Sequence, residues 1–579
     1  MRTNVQGADG GRAVLLLERL MAEGQDSFVE SVATRERQAI TEIFRTLDMC
    51  AFAFRMAPNR LELVQHDVAR HLMLMGASPA LQPLLAKVGA SAGPMPWGPS
   101  DVPFTDYVDD YLWRCGALHS LHRLASLERY GLSRTRFDGD HRLTIEVERG
   151  EAEAADRGAQ HWLAAQQLKA AGALSTLSAA QLQRIRRRLD KRSGIDPNGW
   201  FIRYSFDEEL MDRGQRRIRQ LEAIWPEASA LPDDAMVGGQ SFREWKDACG
   251  IAAAQALSHL EFSTRLSAMH KGLELRNLVT LFRDRRDIAQ GWYSNGYGPV
   301  WADMATRAMT LDEAANPGWL SHYDTPFPFY VDLGADYALV PSMSALMNPF
   351  VGMVRHLRDH YRRDWDRAMD AREELLRRDL AALFPAPRFQ VPATGFKLRR
   401  PDGSVLTDID AAIVDDLHGT VALVQIKWHD VFSRSLRERE SRRRNMLGAE
   451  TWVNQVHGWV AGRNSSAVAA ALGIKNQAET AHGPPVLIVM TRHTARFSGE
   501  AIADGRSAWV SWPEFSRTIH GCPSNSDVLR IAAAQHTAGE CAPVDSPVAR
   551  PTTKTRYNFN GVEIEVVIGG DPVRPVAPP

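Results

Sequence analysis

The 579-residue chain is long enough for two or more domains, and 44% hydrophobic with 24% charged residues is an ordinary globular composition. A formal net charge of -1 excludes a general basic field, so any nucleic-acid binding must depend on local patches. The five cysteines are scattered and lack CxxC spacing, which argues against a disulfide scaffold and a zinc ribbon. No signal peptide and no apolar run of about 18 residues is found, so we expect a cytoplasmic protein without membrane contact.

The first 345 residues are predicted to be mostly helical. Apolar residues recur at helical spacing or in long helix-forming runs at 33–54, 80–88, 151–171, 179–192 and 242–269. The alternating segment LTIEVE at 143–148 predicts an isolated strand or a hairpin arm. No motif assigns this region a chemistry, and we expect it to contact a substrate, a partner protein or a second copy of the chain.

The pattern changes near residues 345–370. Residues 389–428 alternate and are rich in Val, Ile and Leu around the turn-forming DDLHG, which predicts strand, turn and strand. A helix at 446–461, strands at 485–491 and 508–512, and a helix from Pro513 are predicted to follow. The predicted class is therefore α+β multidomain: a mostly helical region at 1–345, an α/β domain with a small mixed sheet at 346–520, and a C-terminal extension at 521–579 with a hairpin at 557–568 and a disordered tail.

Chemistry is predicted where TDIDAAIV (407–414) and VALVQIKW (421–428) form an antiparallel hairpin. Side chains alternate along a strand, so Asp408 and Asp410 share one face, as do Gln425 and Lys427. An acid and a Gln-x-Lys pair would then meet on one surface. The alternative to a functional site is an ordinary solvated face of the hairpin. The flanking residues are, however, apolar enough for central strands, where unpaired charge is costly.

Such a group suits phosphodiester hydrolysis with Mg2+ or Mn2+. A hard divalent cation prefers oxygen ligands, lowers the pKa of a bound water and stabilises charge on phosphate. Asp410 would supply a carboxylate and Gln425 an amide oxygen, while Lys427 would position the water or balance developing charge.

The ordered set TDID…VQIKW resembles the PD-(D/E)XK nuclease motif, in the Gln-x-Lys variant of Mrr-like restriction endonucleases. The resemblance covers about a quarter of the chain and implies a restriction-endonuclease-like domain with the order helix, three strands, helix, strand over 372–518. It also implies a glutamate from the first helix, Glu373 or Glu374, with Glu373 favoured because it shares a helical face with apolar residues. In the later helix it implies Gln455, within QVHGW, where Trp459 replaces the family's tyrosine.

Basic residues beside this motif are candidate DNA contacts. They are Arg434, Arg437, Arg442, Arg443 and Arg444, within a run that also contains Arg439. The alternative is a solvated helix on which Glu438 and Glu440 balance the charge. A second basic string at 184–192 is more typical of a solvated face. His356 and His360 have i, i+4 spacing that can hold zinc, but the charged tract around them favours an exposed face without metal.

The predicted function is a metal-dependent endonuclease acting on DNA. A helical region before a Gln-x-Lys core suggests, by analogy, bacterial defence or DNA processing. Two alternatives stay open. The first is an inactive nuclease-like module for binding nucleic acid or protein, because glutamine at the second acidic position lowers the site's negative charge. The second is a nuclease directed at RNA.

Overall fold

The computed structural model describes residues 8–56, 64–88, 95, 98–147, 151–170, 177–195, 202–205, 207–312, 327–334, 336–429, 436–474, 483–497, 504–537 and 552–569. The helices of the first half are α1 (Ala8–Ser31), α2 (Glu36–Met56), α3 (Val64–Val88), α4 (Val102–Ser126), α5 (Glu151–Ala170), α6 (Ala179–Arg192), α7 (Glu208–Leu221) and α8 (Phe242–Met269). They continue with α9 (Arg276–Val279), α10 (Arg285–Ser294), α11 (Pro299–Ala308), α12 (Met343–Leu346), α13 (Val351–His360), α14 (Arg362–Met369), α15 (Arg372–Leu383), α16 (Leu436–Leu447), α17 (Ala449–Val460), α18 (Ser465–Ala471), α19 (Trp512–Gly521) and α20 (Val528–Thr537).

Strands form several small sheets. In chain order they are β1 (Ser133–Phe137), β2 (Arg142–Val147), β3 (Ser193–Ile195), β4 (Ile202–Tyr204), β5 (Met236–Val237), β6 (Gln240–Ser241), β7 (Leu281–Asp284), β8 (Thr310–Leu311), β9 (Tyr330–Asp332), β10 (Tyr337–Val340), β11 (Phe389–Gln390), β12 (Phe396–Arg399), β13 (Val405–Ile409), β14 (Ala411–Asp415), β15 (Thr420–Lys427), β16 (Val486–Thr491), β17 (Ala508–Ser511), β18 (Thr553–Phe559) and β19 (Val562–Ile568). The larger sheets have the orders β1-β2-β19-β18, β7-β10-β9-β8 and β11-β14-β15-β16-β17.

The N-terminal helices pack around their own apolar core. Helices α3 and α4 approach so closely that a Cβ on Gly76 or on Gly116 would collide with the backbone of the facing helix. A second core lies around α8 and includes Phe350, Leu357 and Trp365 from the region of α13 and α14. This region therefore contains many helices. It also contains a four-stranded sheet, β7-β10-β9-β8, that the sequence patterns did not indicate.

The five-stranded sheet is mixed and covered on both faces. Strand β14 is antiparallel to β15, whereas β15, β16 and β17 run parallel. Leu380 of α15, Phe515 of α19 and Leu529 of α20 pack on one face. Trp452 of α17 and Val468 of α18 pack on the other, together with residues of β12 and β13. Burial on both faces explains why β15 and β16 are nearly continuous runs of apolar residues.

The described part of the C-terminal segment forms a helix and a hairpin, each packed on a different sheet. Helix α20 lies in the core beneath the five-stranded sheet, and the predicted hairpin is present as β18 and β19. Its turn has positive φ at Asn560 (50°) and Gly561 (82°), as a two-residue hairpin loop requires. Strand β19 pairs in parallel with β2, so the hairpin of the predicted C-terminal extension belongs to the same sheet as LTIEVE.

The α+β class is confirmed, since the chain combines many helices with several small mixed sheets. Within the described part of the chain, no helix has the length and apolarity of a membrane span. The single strand predicted over 407–414 is wrong: β13 ends at Ile409 and β14 begins at Ala411. The two strands belong to different sheets, because β13 pairs with β12 and β14 pairs with β15.

Candidate active site

Asp410 occupies the break between β13 and β14. Its backbone amide donates to the carbonyl oxygen of Val424 (3.1 Å), which continues the pairing of β14 with β15 by one residue. The Asp408 side chain is exposed, whereas the Asp410 side chain is buried. The Asp410 side chain meets β15, the strand that carries Gln425 and Lys427.

The carboxylate of Asp410 is fixed by two donors of β15. The amide of Ile426 donates to Oδ2 (2.6 Å), and Nε2 of Gln425 donates to the same oxygen. Asp410 and Gln425 are each only 5% exposed. Both bonds go to Oδ2, and within the described residues Oδ1 has no hydrogen-bond partner. One carboxylate oxygen thus remains for another ligand.

The pKa of Asp410 is raised to about 7, mainly by burial and next by the neighbouring Glu373 carboxylate. The Ile426 amide and Lys427 act in the opposite direction, whereas Asp408 adds to the repulsion. Burial also raises the pKa of Glu373. Arg377 and Lys427 act to lower this pKa, whereas Asp408 acts to raise it. The site is therefore a cluster of mutually interacting acids with one lysine beside them.

Glu373 comes from the first turn of α15 and its side chain is 46% exposed. The neighbouring Glu374 is more exposed and lies 3.5 Å from Arg378 of the same helix. The helical-face argument that favoured Glu373 agrees with this placement. Lys427 is partly exposed at the end of β15, in register with Thr491 of β16.

Three residues that the sequence patterns did not single out lie against the backbone around Asp410, where β13 ends and β14 begins. Nη1 of Arg377 donates to the Asp410 carbonyl oxygen (3.1 Å), and Nε1 of Trp452 donates to the Asp408 carbonyl oxygen (2.7 Å). A Cβ on Gly395 would lie 2.6 Å from the carbonyl oxygen of Ile409. Arg377 lies one turn after Glu373, yet α15 contains several arginines and no sequence feature distinguishes this one.

Gln455 is not joined to this cluster. It is partly buried on α17, and no hydrogen bond connects its side chain to another described residue. Trp459, one turn later, packs under the guanidinium of Arg463 (4.3 Å from Cζ to the ring centroid). The helix does pack on the sheet face that carries Gln425.

The arginine run has mixed surroundings. Arg434 and the side chain of Arg437 lie outside the described residues. Arg443 and Arg444 both pair with Glu440 of the same helix, at 2.8 and 3.0 Å. Arg442 is partly buried, and Arg439 is buried between the rings of Tyr130 and Phe497. Part of the run is therefore paired with Glu440, and part of it is buried.

The expected exposed face at His356 and His360 is wrong for His356, which is 7% exposed. Its ring stacks on that of His360 with centroids 5.0 Å apart. Burial, followed by His360 and Arg307, lowers the pKa of His356 to about 4.

Within the described residues, no group of three or more His, Cys, Asp or Glu side chains is arranged as a metal site. Mg2+ needs less, because it keeps several waters and commonly uses only one or two protein carboxylates. Asp410 with its unbonded Oδ1 and the interacting carboxylate of Glu373 satisfy that requirement. The donor set of two carboxylates and one amide therefore fits a hard divalent cation.

Comparisons of the chain with protein-family models, with curated proteins and with solved structures found no match.

Proposed function

We propose that the chain is a metal-dependent endonuclease of the PD-(D/E)XK type, with DNA as the favoured substrate. The observation that carries the proposal is the contact of Asp410, immediately before β14, with Gln425 of the adjacent strand β15, two residues from Lys427. Glu373 of the preceding helix interacts with the same carboxylate. Asp410, Gln425 and Lys427 are thus neighbours, although the strand predicted to carry Asp410 is interrupted between β13 and β14.

The order of elements supports the same conclusion. Helix α15 precedes β11, β14 and β15 of the five-stranded sheet, helices α16, α17 and α18 follow, and β16 then adds in parallel to β15. Apart from the inserted β12–β13 hairpin and the additional helices, this order is compatible with the helix, three strands, helix, strand order that the resemblance implies. The domain would act in the cytoplasm, in bacterial defence or DNA processing, while the helical region contacts substrate, a partner or a second copy.

Each residue has a distinct part in the proposed reaction. Asp410, Glu373 and Gln425 would hold Mg2+ or Mn2+, which when bound lowers the pKa of a water and stabilises phosphate charge. The Lys427 ammonium would orient that water and balance charge that develops on the phosphate. Arg377 would keep Asp410 in place through its carbonyl oxygen.

A second candidate function is an inactive nucleic-acid-binding or interaction module. The bond from Gln425 Nε2 to Asp410 favours it, because an amide donor satisfies a buried carboxylate without a cation. The two candidates differ in metal binding: the nuclease binds Mn2+ through Asp410, whereas the inactive module does not.

The test is cleavage of duplex DNA, single-stranded DNA and RNA with Mg2+ or Mn2+, by wild type and by Asp410→Ala and Lys427→Ala. The nuclease proposal expects wild-type cleavage that both substitutions and EDTA abolish. Preference among the three substrates separates the DNA proposal from the RNA alternative. Activity that persists in both variants would refute the assigned site.

A further inference from the structure

We infer that the β12–β13 hairpin is a phosphate-contacting arm that guides nucleic acid to the Asp410 site. The inference rests on the proposed nuclease function and assigns a substrate contact to residues outside the catalytic cluster. The arm comprises residues 396–409, a two-stranded sheet whose last residue immediately precedes Asp410.

One face of the arm is buried and the other is basic. Leu398 and Ile409 lie in the core beneath it. On β12 the alternate residues Lys397 and Arg399 are exposed, and Arg400 follows at the start of the turn. Because alternate side chains on a strand share a face, Lys397 and Arg399 point the same way, about 6.6 Å apart along the strand.

Cross-strand register connects this face to the candidate site. Lys397 is directly opposite Asp408, so the two side chains are neighbours on one face. The Asp408 carboxylate in turn interacts electrostatically with Asp410 and Glu373. A row of cations therefore begins beside the acids and runs outward along the hairpin.

Within the described residues no ion pair joins Lys397, Arg399 or Arg400 to an acid, although Asp408 lies opposite Lys397 across the hairpin. Arg399 Nη1 donates to the carbonyl oxygen of Gly403 (2.8 Å), and Arg400 Nη1 donates to that of Val405 (2.9 Å). These bonds to neutral acceptors orient the guanidinium groups and leave their charge available. Asp402 in the turn accepts hydrogen bonds from Ser404 (2.7 and 2.9 Å) and interacts electrostatically with Arg400, so the row rests mainly on Lys397 and Arg399.

The contrast with α16 shows why the arm is the stronger candidate. Arg443 and Arg444 share the carboxylate of Glu440, so their net positive charge is smaller. Exposed cations in a rigid row, beside a site proposed to cleave phosphodiesters, match the repeated negative charge of a nucleic-acid backbone. Such contacts position the strand without reading its sequence.

The experiment measures binding of a labelled duplex DNA of arbitrary sequence, in EDTA, as a function of salt. The variants are Lys397→Ala/Arg399→Ala and the matched control Arg443→Ala/Arg444→Ala, each of which removes two positive charges. The slope of log Kobs against log salt should become shallower by about 1.8 in the hairpin variant, because each lost phosphate contact contributes about 0.9. The control should lose less than half of that.

Equal slopes in wild type and hairpin variant, or equal losses in both variants, would overturn the inference. Cleavage assays keep the two proposals apart. If wild type cleaves DNA and the hairpin variant keeps both its KM and its salt slope, the arm is wrong and the nuclease stands. If wild type binds DNA without cleaving it, the slope still tests the arm while the nuclease proposal fails. Absence of wild-type binding would refute the arm.

Discussion

The amide of Ile426 donates a 2.6 Å hydrogen bond to Oδ2 of Asp410, joining the residue between β13 and β14 to β15, a central strand of the five-stranded sheet. The bond fixes one carboxylate oxygen and leaves the other without a described partner. The donor, Ile426, lies between Gln425 and Lys427, the two residues with which we propose that Asp410 acts.

Metal binding should depend on Asp410. Since a ligand that binds only the folded state stabilises it, Mn2+ at about 100 times Kd should add about 2.7 kcal/mol to the free energy of unfolding of wild type. Asp410→Asn should lose this gain because it removes the best-placed carboxylate. Thermal denaturation with and without Mn2+ measures both. An equal Mn2+ effect on wild type and variant would argue that the metal binds elsewhere.

Gln425→Glu should strengthen metal binding and weaken the metal-free fold. The substitution replaces a hydrogen-bond donor to Asp410 by a second carboxylate, and the two like charges repel each other until a cation is present. Calorimetric titration with Mn2+ should give a lower Kd, and metal-free thermal unfolding a lower midpoint. Gln535→Glu, on an exposed position of α20, is the control and should change neither. Unchanged Mn2+ affinity in Gln425→Glu would count against Gln425 as a neighbour of the metal.

Arg377→Ala should lower kcat with little change in KM. Arg377 holds the Asp410 carbonyl oxygen, and misplacement of a reacting group by about 1 Å can reduce rate about a hundredfold. Its lost hydrogen bond should also reduce the free energy of unfolding by about 1 kcal/mol. Arg378→Ala is the control, since that side chain is 61% exposed and pairs only with Glu374. Steady-state kinetics decide: equal effects of the two substitutions would remove Arg377 from its positioning role.

Gly395→Ala should disturb the break without touching a charged group. The new Cβ would lie 2.6 Å from the carbonyl oxygen of Ile409, so the arm must shift and move Asp410 with it. We expect reduced cleavage and reduced Mn2+ affinity. Gly458→Ala on α17 offers the comparison, because outside the adjacent turns of the helix no described atom lies within 4 Å of its added Cβ. That substitution should stabilise the helix by up to about 1 kcal/mol and leave cleavage intact. Full activity in Gly395→Ala would show that the close approach is unimportant.

Asp156 should make stability depend on pH. It is 1% exposed on α5, and burial raises its pKa to about 7. Because the pKa in the folded state exceeds that in the unfolded state, about 3.9, its contribution is complete below about pH 4 and is lost as pH rises through 7. Asp156→Asn should therefore gain about 2 kcal/mol relative to wild type between pH 5 and pH 8.

Chemical denaturation at several pH values measures this difference. Asp366→Asn serves as the control because its side chain is 53% exposed, and its curve should run parallel to that of wild type. A parallel curve for Asp156→Asn as well would mean that burial does not perturb this carboxyl group.

Local sequence patterns predicted those helices and strands whose limits are set by residues within or next to the element itself. The helix at 242–269 begins where predicted because Ser241 and Glu244 form a capping box at its N-terminus. The strand that carries Gln425 and Lys427 is recognisable because both its faces are apolar before the site begins. The break at Asp410 could not be predicted, since it depends on Trp452 and Arg377, which approach from different helices.

Long-range pairing explains the rest. Nothing in LTIEVE indicates that its partner strand lies more than 400 residues later at Val562–Ile568. The charge balance of the arginine run likewise depends on which arginines reach Glu440 once α16 has formed. The cations of the β12–β13 hairpin stand out only when the register places Lys397 opposite Asp408.

The most direct test of the central claim is cleavage of plasmid DNA with Mn2+ by wild type, Asp410→Ala and Lys427→Ala, each first shown to be folded by its unfolding transition. The account predicts nicked or linear product from wild type only, and none when EDTA is added. Product from folded Asp410→Ala or Lys427→Ala at the wild-type rate would contradict it.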